Sequence, residues 1–158
     1  MTQVHEWGPH IWKVLHYHAE YAGSSVLPAD EIRGWIAVLR NTEGTLACAL
    51  CREHYKAWRT KHPLEEFIGQ HKDTFKEMLR KWLWDLHEYV NDQKEVPVEK
   101  RVAFEQLGAY KDIPRQEIFQ SIATLKEIFQ RASMHRQVNP VYVAEWLRAI
   151  RFLQKLIF

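Results

Sequence analysis

Cys48 and Cys51 stand two residues apart in the stretch TLACALCREHY and are the only thiols of the 158-residue chain. A pair at that spacing suits metal ligation, thioether attachment of a haem, or cycling between dithiol and disulfide. Haem attachment of the c type needs a histidine directly after the second cysteine, and Arg52 takes that place. Structural zinc takes four ligands, normally from two clusters, so His54 and His62 would have to complete the set here. A thioredoxin-like motif would lie in β–α–β alternation, which the surrounding residues do not show. Redox cycling on a helical scaffold, a zinc site and two small buried side chains packed as apolar groups all stay open on these residues alone.

Redox work would gain from a particular position. The thiolate is the reactive form, and the unpaired N–H groups and dipole of a helix start favour it. A helix is expected from near Leu46 or Ala47 to about Thr60, with Cys48 in its first turn and Cys51 just beyond. Arg52 and that helix start would stabilise a Cys51 thiolate, and a tight disulfide loop there would be open to an attacking thiol.

The rest of the chain must position this pair. Hydrophobic residues make up 46% and charged residues 27%, which implies a packed core. Only six glycines and six prolines interrupt the chain, as in a mostly helical protein. The net charge is +2 with basic and acidic residues interleaved, so nothing points to nucleic acid. The start, MTQVHEWGPHIW, lacks the pattern of a signal peptide, and no run approaches the ~18 apolar residues of a membrane span. The expectation is a soluble, cytoplasmic protein. Seven tryptophans and nine histidines suit either core filling or the surroundings of a flat aromatic ligand.

Helical spacing recurs throughout. Pro9 suits a first turn, with Ile11, Trp12, Leu15, His16 and Ala19 on one face, ending at Gly23-Ser24-Ser25. Pro28 and Asp30 open a second helix carrying Ile32, Trp35, Ile36 and Leu39, before a break at residues 41–45. The segment PLEEFIGQ forms a short element. Residues 73–93 are strongly amphipathic through Phe75, Met78, Leu79, Trp82, Leu83, Leu86, His87 and Val90. A short fifth element, VEKRVAFEQLG, ends at Gly108. After Pro114, Ile118, Leu125, Ile128 and Phe129 mark one helix, and Val143, Trp146, Ile150 and Leu153 mark a last one opened by Asn139-Pro140. The fold expected is all-α: a four-helix bundle with a short fifth helix in residues 1–110, and an appended helical hairpin in residues 111–158.

Three blocks, WGPHIWKVLHYHAEYAG, CALCREHY and WLWDLHEYVN, resemble in order and spacing the Erv/ALR family of FAD-dependent sulfhydryl oxidases. The family pattern is a glycine then W-x-x-L-H, C-x-x-C-x-x-H-[FY] and W-x-x-x-L-H-N-x-V-N. Gly8, Trp12, Leu15 and His16 match the first, Cys48, Cys51, His54 and Tyr55 the second, and Trp82, Leu86, His87, Val90 and Asn91 the third. The resemblance covers roughly residues 7–97. Compact members with extra terminal helices occur in large DNA viruses, and the resemblance is to that type.

The resemblance implies FAD held between the helices, with Cys51 next to the flavin and Cys48 exchanging with substrate. Gly8, Trp12, His16, Cys51, His54, Trp82, His87, Val90 and Asn91 would line the FAD site, with Lys94 the nearest candidate for the cofactor's phosphates. The implied activity turns two protein thiols into a disulfide and molecular oxygen into hydrogen peroxide. The implied partners are a protein thiol substrate or a dithiol carrier protein, and a second copy of the chain meeting it through exposed aromatics of the first two helices. Glu88 departs from the pattern's asparagine and would put negative charge near the adenosine part. No second cysteine pair is present to shuttle electrons, so substrate thiols would have to reach Cys48 directly. The alternative is a non-catalytic helical interaction module whose cysteines are structural or bind zinc.

Overall fold

α1 (Val4–Glu20) begins five residues before Pro9 rather than at it. Its first turn is closed by the Gln3 N–H donating to Glu6 Oε1 at 3.0 Å. Proline inside a helix strips the carbonyl four residues back of its donor; here that carbonyl belongs to His5, which is exposed and can turn to water. The structure, a computed structural model, describes residues 3–158.

α2 (Pro28–Thr45) has proline in its opening turn and runs through the stretch expected to break it. Asn41, Thr42 and Thr45 each donate a side-chain hydrogen bond of 2.8 Å to the carbonyl four residues back, on Ala37, Val38 and Asn41. Residues that elsewhere compete with a helix thus extend this one. α3 (Ala49–Lys61) follows after three residues, and a 3-10 turn, Leu64–Phe67, leads into α4 (Lys72–Gln93).

The expected fifth helix is two 3-10 segments, Val98–Lys100 and Phe104–Asp112, the second running past Gly108. Tertiary ties explain the interruption. Arg101 donates to Val96 O at 2.9 Å and pairs with Glu88 and Asp92 of α4 at 3.2 and 2.7 Å. Trp84 Nε1–H donates to Val102 O at 2.9 Å. These bonds hold residues 101–103 extended along α4. α5 (Arg115–Met134) and α6 (Pro140–Ile157) complete the chain, with Asn139 Oδ1 capping α6 through Val141 N–H at 2.9 Å. The described residues contain no strand.

α5 lies on α1 and α6 on α2. One apolar core runs from Ile11, Leu15 and Leu39 through Leu83 to Phe129, Trp146 and Leu153. Trp146 is fully buried and donates Nε1–H to Thr42 Oγ1 at 3.1 Å, with Phe129 edge-on to it at 6.0 Å. Two glycines let α6 come close. A Cβ on Gly34 would stand 2.9 Å from Leu153 Cδ2, and one on Gly44 2.3 Å from the Tyr142 ring. The aromatics of the first two helices expected to stand exposed are enclosed by the chain itself, with Trp7, Tyr17 and Trp35 all buried. Trp7 meets Phe129 of α5, and Tyr17 meets Phe158 at the chain's end. No helix among the described residues is long and apolar enough to cross a membrane.

Candidate functional site

Where α1, α3 and α4 converge, the bundle leaves two adjoining spaces. The inner one, about 160 Å³, is walled by Trp7, Gly8, Ile11, Trp12 and Leu15 of α1, by Leu50, Cys51, His54 and Tyr55 of α3, and by Leu86, Val90 and Gln93 of α4, with Leu46 and Lys94 at the helix ends. The outer one, about 690 Å³, is wider and more polar, with His5, Lys13, His87, Asn91, Tyr110 and Ile113. Val4, Gly8, Trp12, Val90 and Lys94 line both spaces, which therefore adjoin. Gly8 matters by having no side chain: a Cβ there would meet only Val4 Cγ1, at 3.6 Å.

The expected site residues thus divide. Gly8, Trp12, Val90 and Lys94 face both spaces, Cys51 and His54 the inner, His87 and Asn91 the outer. His16 sits behind His87, while Cys48 and Trp82 lie outside both linings. Trp82 is core, its Nε1–H donating to His62 O at 3.1 Å. His62 itself stacks on Trp58 at 3.5 Å. No group of three or more His, Cys, Asp or Glu among the described residues is placed to hold a metal. Glu88 is engaged by Arg101. Sequence reasoning missed Trp7, Leu46, Tyr55, Gln93, Tyr110 and Ile113 as lining. Helical spacing from Ile11, Cys51 and Val90 could have supplied Trp7, Tyr55 and Gln93, whereas Tyr110 and Ile113 arrive by a path no local pattern encodes.

Cys48 is the N-cap of α3, not a first-turn residue, and Cys51 is the helix's third residue. The Cys48 sulfur accepts a hydrogen bond from the Cys51 N–H at 3.2 Å. The expected thiolate-favouring effect is reversed at Cys51. Burial in the apolar wall, then the neighbouring Cys48, push its thiol up to about 12, against a weaker downward pull from Lys94. Arg52 gives no help, because its guanidinium donates to Leu46 O at 2.6 Å. In the dithiol state Cys51 therefore keeps its proton at neutral pH.

Between the outer space and the core lies an aromatic stack. The Trp12 and His87 rings are parallel within 9° at 3.9 Å, and Tyr110 covers His16 at 4.8 Å. His16 Nε2 and His87 Nδ1 share one hydrogen bond at 3.1 Å. Burial, then the adjacent His87, holds His16 down at about 3. Burial, then Lys94, holds His87 at about 4. His18, buried with Nδ1–H on Val14 O at 2.7 Å, is also held at about 4. All three folded values lie below the unfolded one, so their stability is complete above pH ~6.5 and is lost as pH falls through 4. Thermal melting should therefore drop steeply between pH 6.5 and 4, by free energy on the order of several kcal/mol. His18→Phe, which has no proton to gain, should flatten part of that slope; a melting temperature constant across this window would contradict the assignment.

The model of a family described as Erv1 / Alr family matches residues 9–106. A protein named FAD-linked sulfhydryl oxidase from African swine fever virus (isolate Pig/Kenya/KEN-50/1950) is 26% identical over 116 residues, covering 73% of this chain and 86% of that protein. No solved structure matches the chain.

Proposed function

The chain belongs to the Erv1/Alr family, and from that premise we propose that it is an FAD-linked thiol oxidase in which Cys48 and Cys51 form the redox pair. The observation that carries the reading is Cys51 in the wall of a narrow apolar space that adjoins a wider, more polar one.

The residues present fit FAD. An apolar cavity of about 150 Å³ is enough for a benzene-sized ring, so the inner space of about 160 Å³ would take one ring of the flavin, with the adjoining recess beside it for the rest. Trp7, one of the inner space's wall residues, has a buried Nε1–H without a hydrogen-bond partner, where buried donors are ordinarily paired. His87, Asn91, Lys13 and Lys94 supply donors and positive charge for a polar tail with phosphates. Trp12, Gly8 and Val90 would hold the part between. His16 acts one step back, fixing the His87 ring through their shared hydrogen bond.

Bound FAD supplies a two-electron acceptor whose reoxidation by oxygen yields hydrogen peroxide. The chain's own residues do the sulfur chemistry. A substrate thiolate attacks Sγ of Cys48 in the Cys48–Cys51 disulfide, forming a substrate–Cys48 bond and releasing Cys51, which takes up a proton. The substrate's second thiol, deprotonated, attacks its own sulfur in the mixed disulfide, releasing Cys48. Two substrate S–H groups have become one S–S bond, and the protein holds two thiols. Reclosing the Cys48–Cys51 bond gives up two electrons and two protons. Residues 1–110 carry this chemistry, and residues 111–158 brace α1 and α2.

The purified chain should be yellow, release stoichiometric FAD on denaturation, and consume oxygen with dithiothreitol while making an equal amount of peroxide. A colourless, folded protein that consumes no oxygen would overturn the proposal.

A further inference from the structure

A third concavity, sharing no lining residue with the two above, lies beside the start of α3. It measures about 550 Å³ and is walled by Gly44 at the end of α2, Arg52 on the first turn of α3, and Arg136, Gln137 and Tyr142 from the α5–α6 turn. A smaller arm of about 360 Å³, sharing Gly44, Arg52 and Tyr142, runs to Ala49. The arm thus reaches the residue that follows Cys48 in the chain.

Its chemistry is one-sided. The groove proper is lined by two arginines and no carboxylate, and neither arginine is in an ion pair among the described residues. In the arm, Arg52 and Lys56 are matched by Glu43 and Glu53, Glu43 being paired with Arg59 at 3.5 Å, so the positive excess of groove and arm together comes from Arg136. Two long helices also begin here, α3 at Cys48 and α6 at Asn139, and their starts carry partial positive charge. Arg136 occupies a left-handed backbone conformation, φ 60°, that glycine or asparagine normally takes. It directly follows the α5 C-cap, His135, where a helix stop uses that conformation, with Gln137 N–H donating back to Ala132 O at 2.9 Å. Gln137 Oε1, shielded from water, has no partner.

We propose that this groove docks the protein dithiol, binding an acidic peptide segment that flanks the reactive cysteine and presenting that thiol to Cys48. The inference rests on the thiol-oxidase reading. It gives residues 111–158 a second role beyond bracing: selecting the substrate, since Arg136, Gln137 and Tyr142 all come from them. A small uncharged dithiol needs no such groove.

The test compares oxygen consumption by the full chain on dithiothreitol, on glutathione, on a dithiol peptide flanked by Asp and Glu, and on the same peptide with Asn and Gln. The acidic peptide should win over its neutral twin by about tenfold in kcat/KM at low salt, and lose that lead at high salt. Arg136→Gly, which relaxes the strained backbone while removing the charge, and Arg136→Glu should both abolish the lead through KM, with dithiothreitol turnover unchanged. Equal use of the two peptides by the wild type, or an Arg136 effect as large on dithiothreitol as on the acidic peptide, would overturn the docking site. So would an Arg136 effect confined to glutathione. No turnover of dithiothreitol by the wild type would instead sink the oxidase reading itself.

Discussion

Cys51→Ser should give a folded, yellow protein that oxidises dithiothreitol at least about a thousandfold more slowly than the wild type. Losses of that size follow when a reacting atom, not a contact, is removed. Serine nearly matches cysteine in volume, and Cys51 is one of many residues in the inner wall, so fold and cofactor should survive. Only the sulfur is gone, and with it any Cys48–Cys51 disulfide. Cys48→Ser should be as damaging for a protein dithiol, because it removes the sulfur that the substrate thiolate attacks and leaves a partly buried Cys51 with no disulfide to open. Stopped-flow mixing separates the two roles: anaerobic dithiothreitol should bleach the wild-type flavin band rapidly and leave that of either variant oxidised. A variant that bleached at the wild-type rate would show electrons reaching the flavin without the pair.

The pair's place at the head of a helix was legible because Cys48, Cys51, His54 and Tyr55 keep helical spacing and a proline closes the segment. The resemblance, spanning residues 7–97, anticipates the family match at 9–106. What the sequence hid depends on contacts made at a distance. Asn41, Thr42 and Thr45 look like a helix end until their side chains find carbonyls one turn back. Residues 98–108 look like one short helix until Arg101 and Trp84 pull the chain extended. Tyr110 then reaches the histidine stack from a segment with no periodicity to announce it. The Cys51 reversal has the same origin: a helix start favours thiolate only where solvent or charge supports it, and apolar walls from three helices outweigh the dipole.

The hairpin of residues 111–158 looks separable in sequence because it follows a stretch of polar and proline residues and lies outside the three motifs. Its packing argues otherwise, and Trp146→Ala tests the point. Trp146 is fully buried between α2 and Phe129, so truncation to alanine removes a large ring that the close α2–α6 approach cannot collapse to fill. Such losses cost about 3–5 kcal/mol, and Thr42 Oγ1 also loses its donor. Against a total stability of roughly 5–15 kcal/mol, the variant should unfold at far lower denaturant, in one transition whose flavin release coincides with loss of helix. That coincidence is expected because Thr42 sits in the lining of the inner cavity and Trp146 bonds it from behind. The chain cut after residue 110 should fare worse, since it would bare Trp7 and the α2 glycine face that α6 covers. A truncated chain that folded, bound FAD and melted like the whole would make the hairpin an appendage after all.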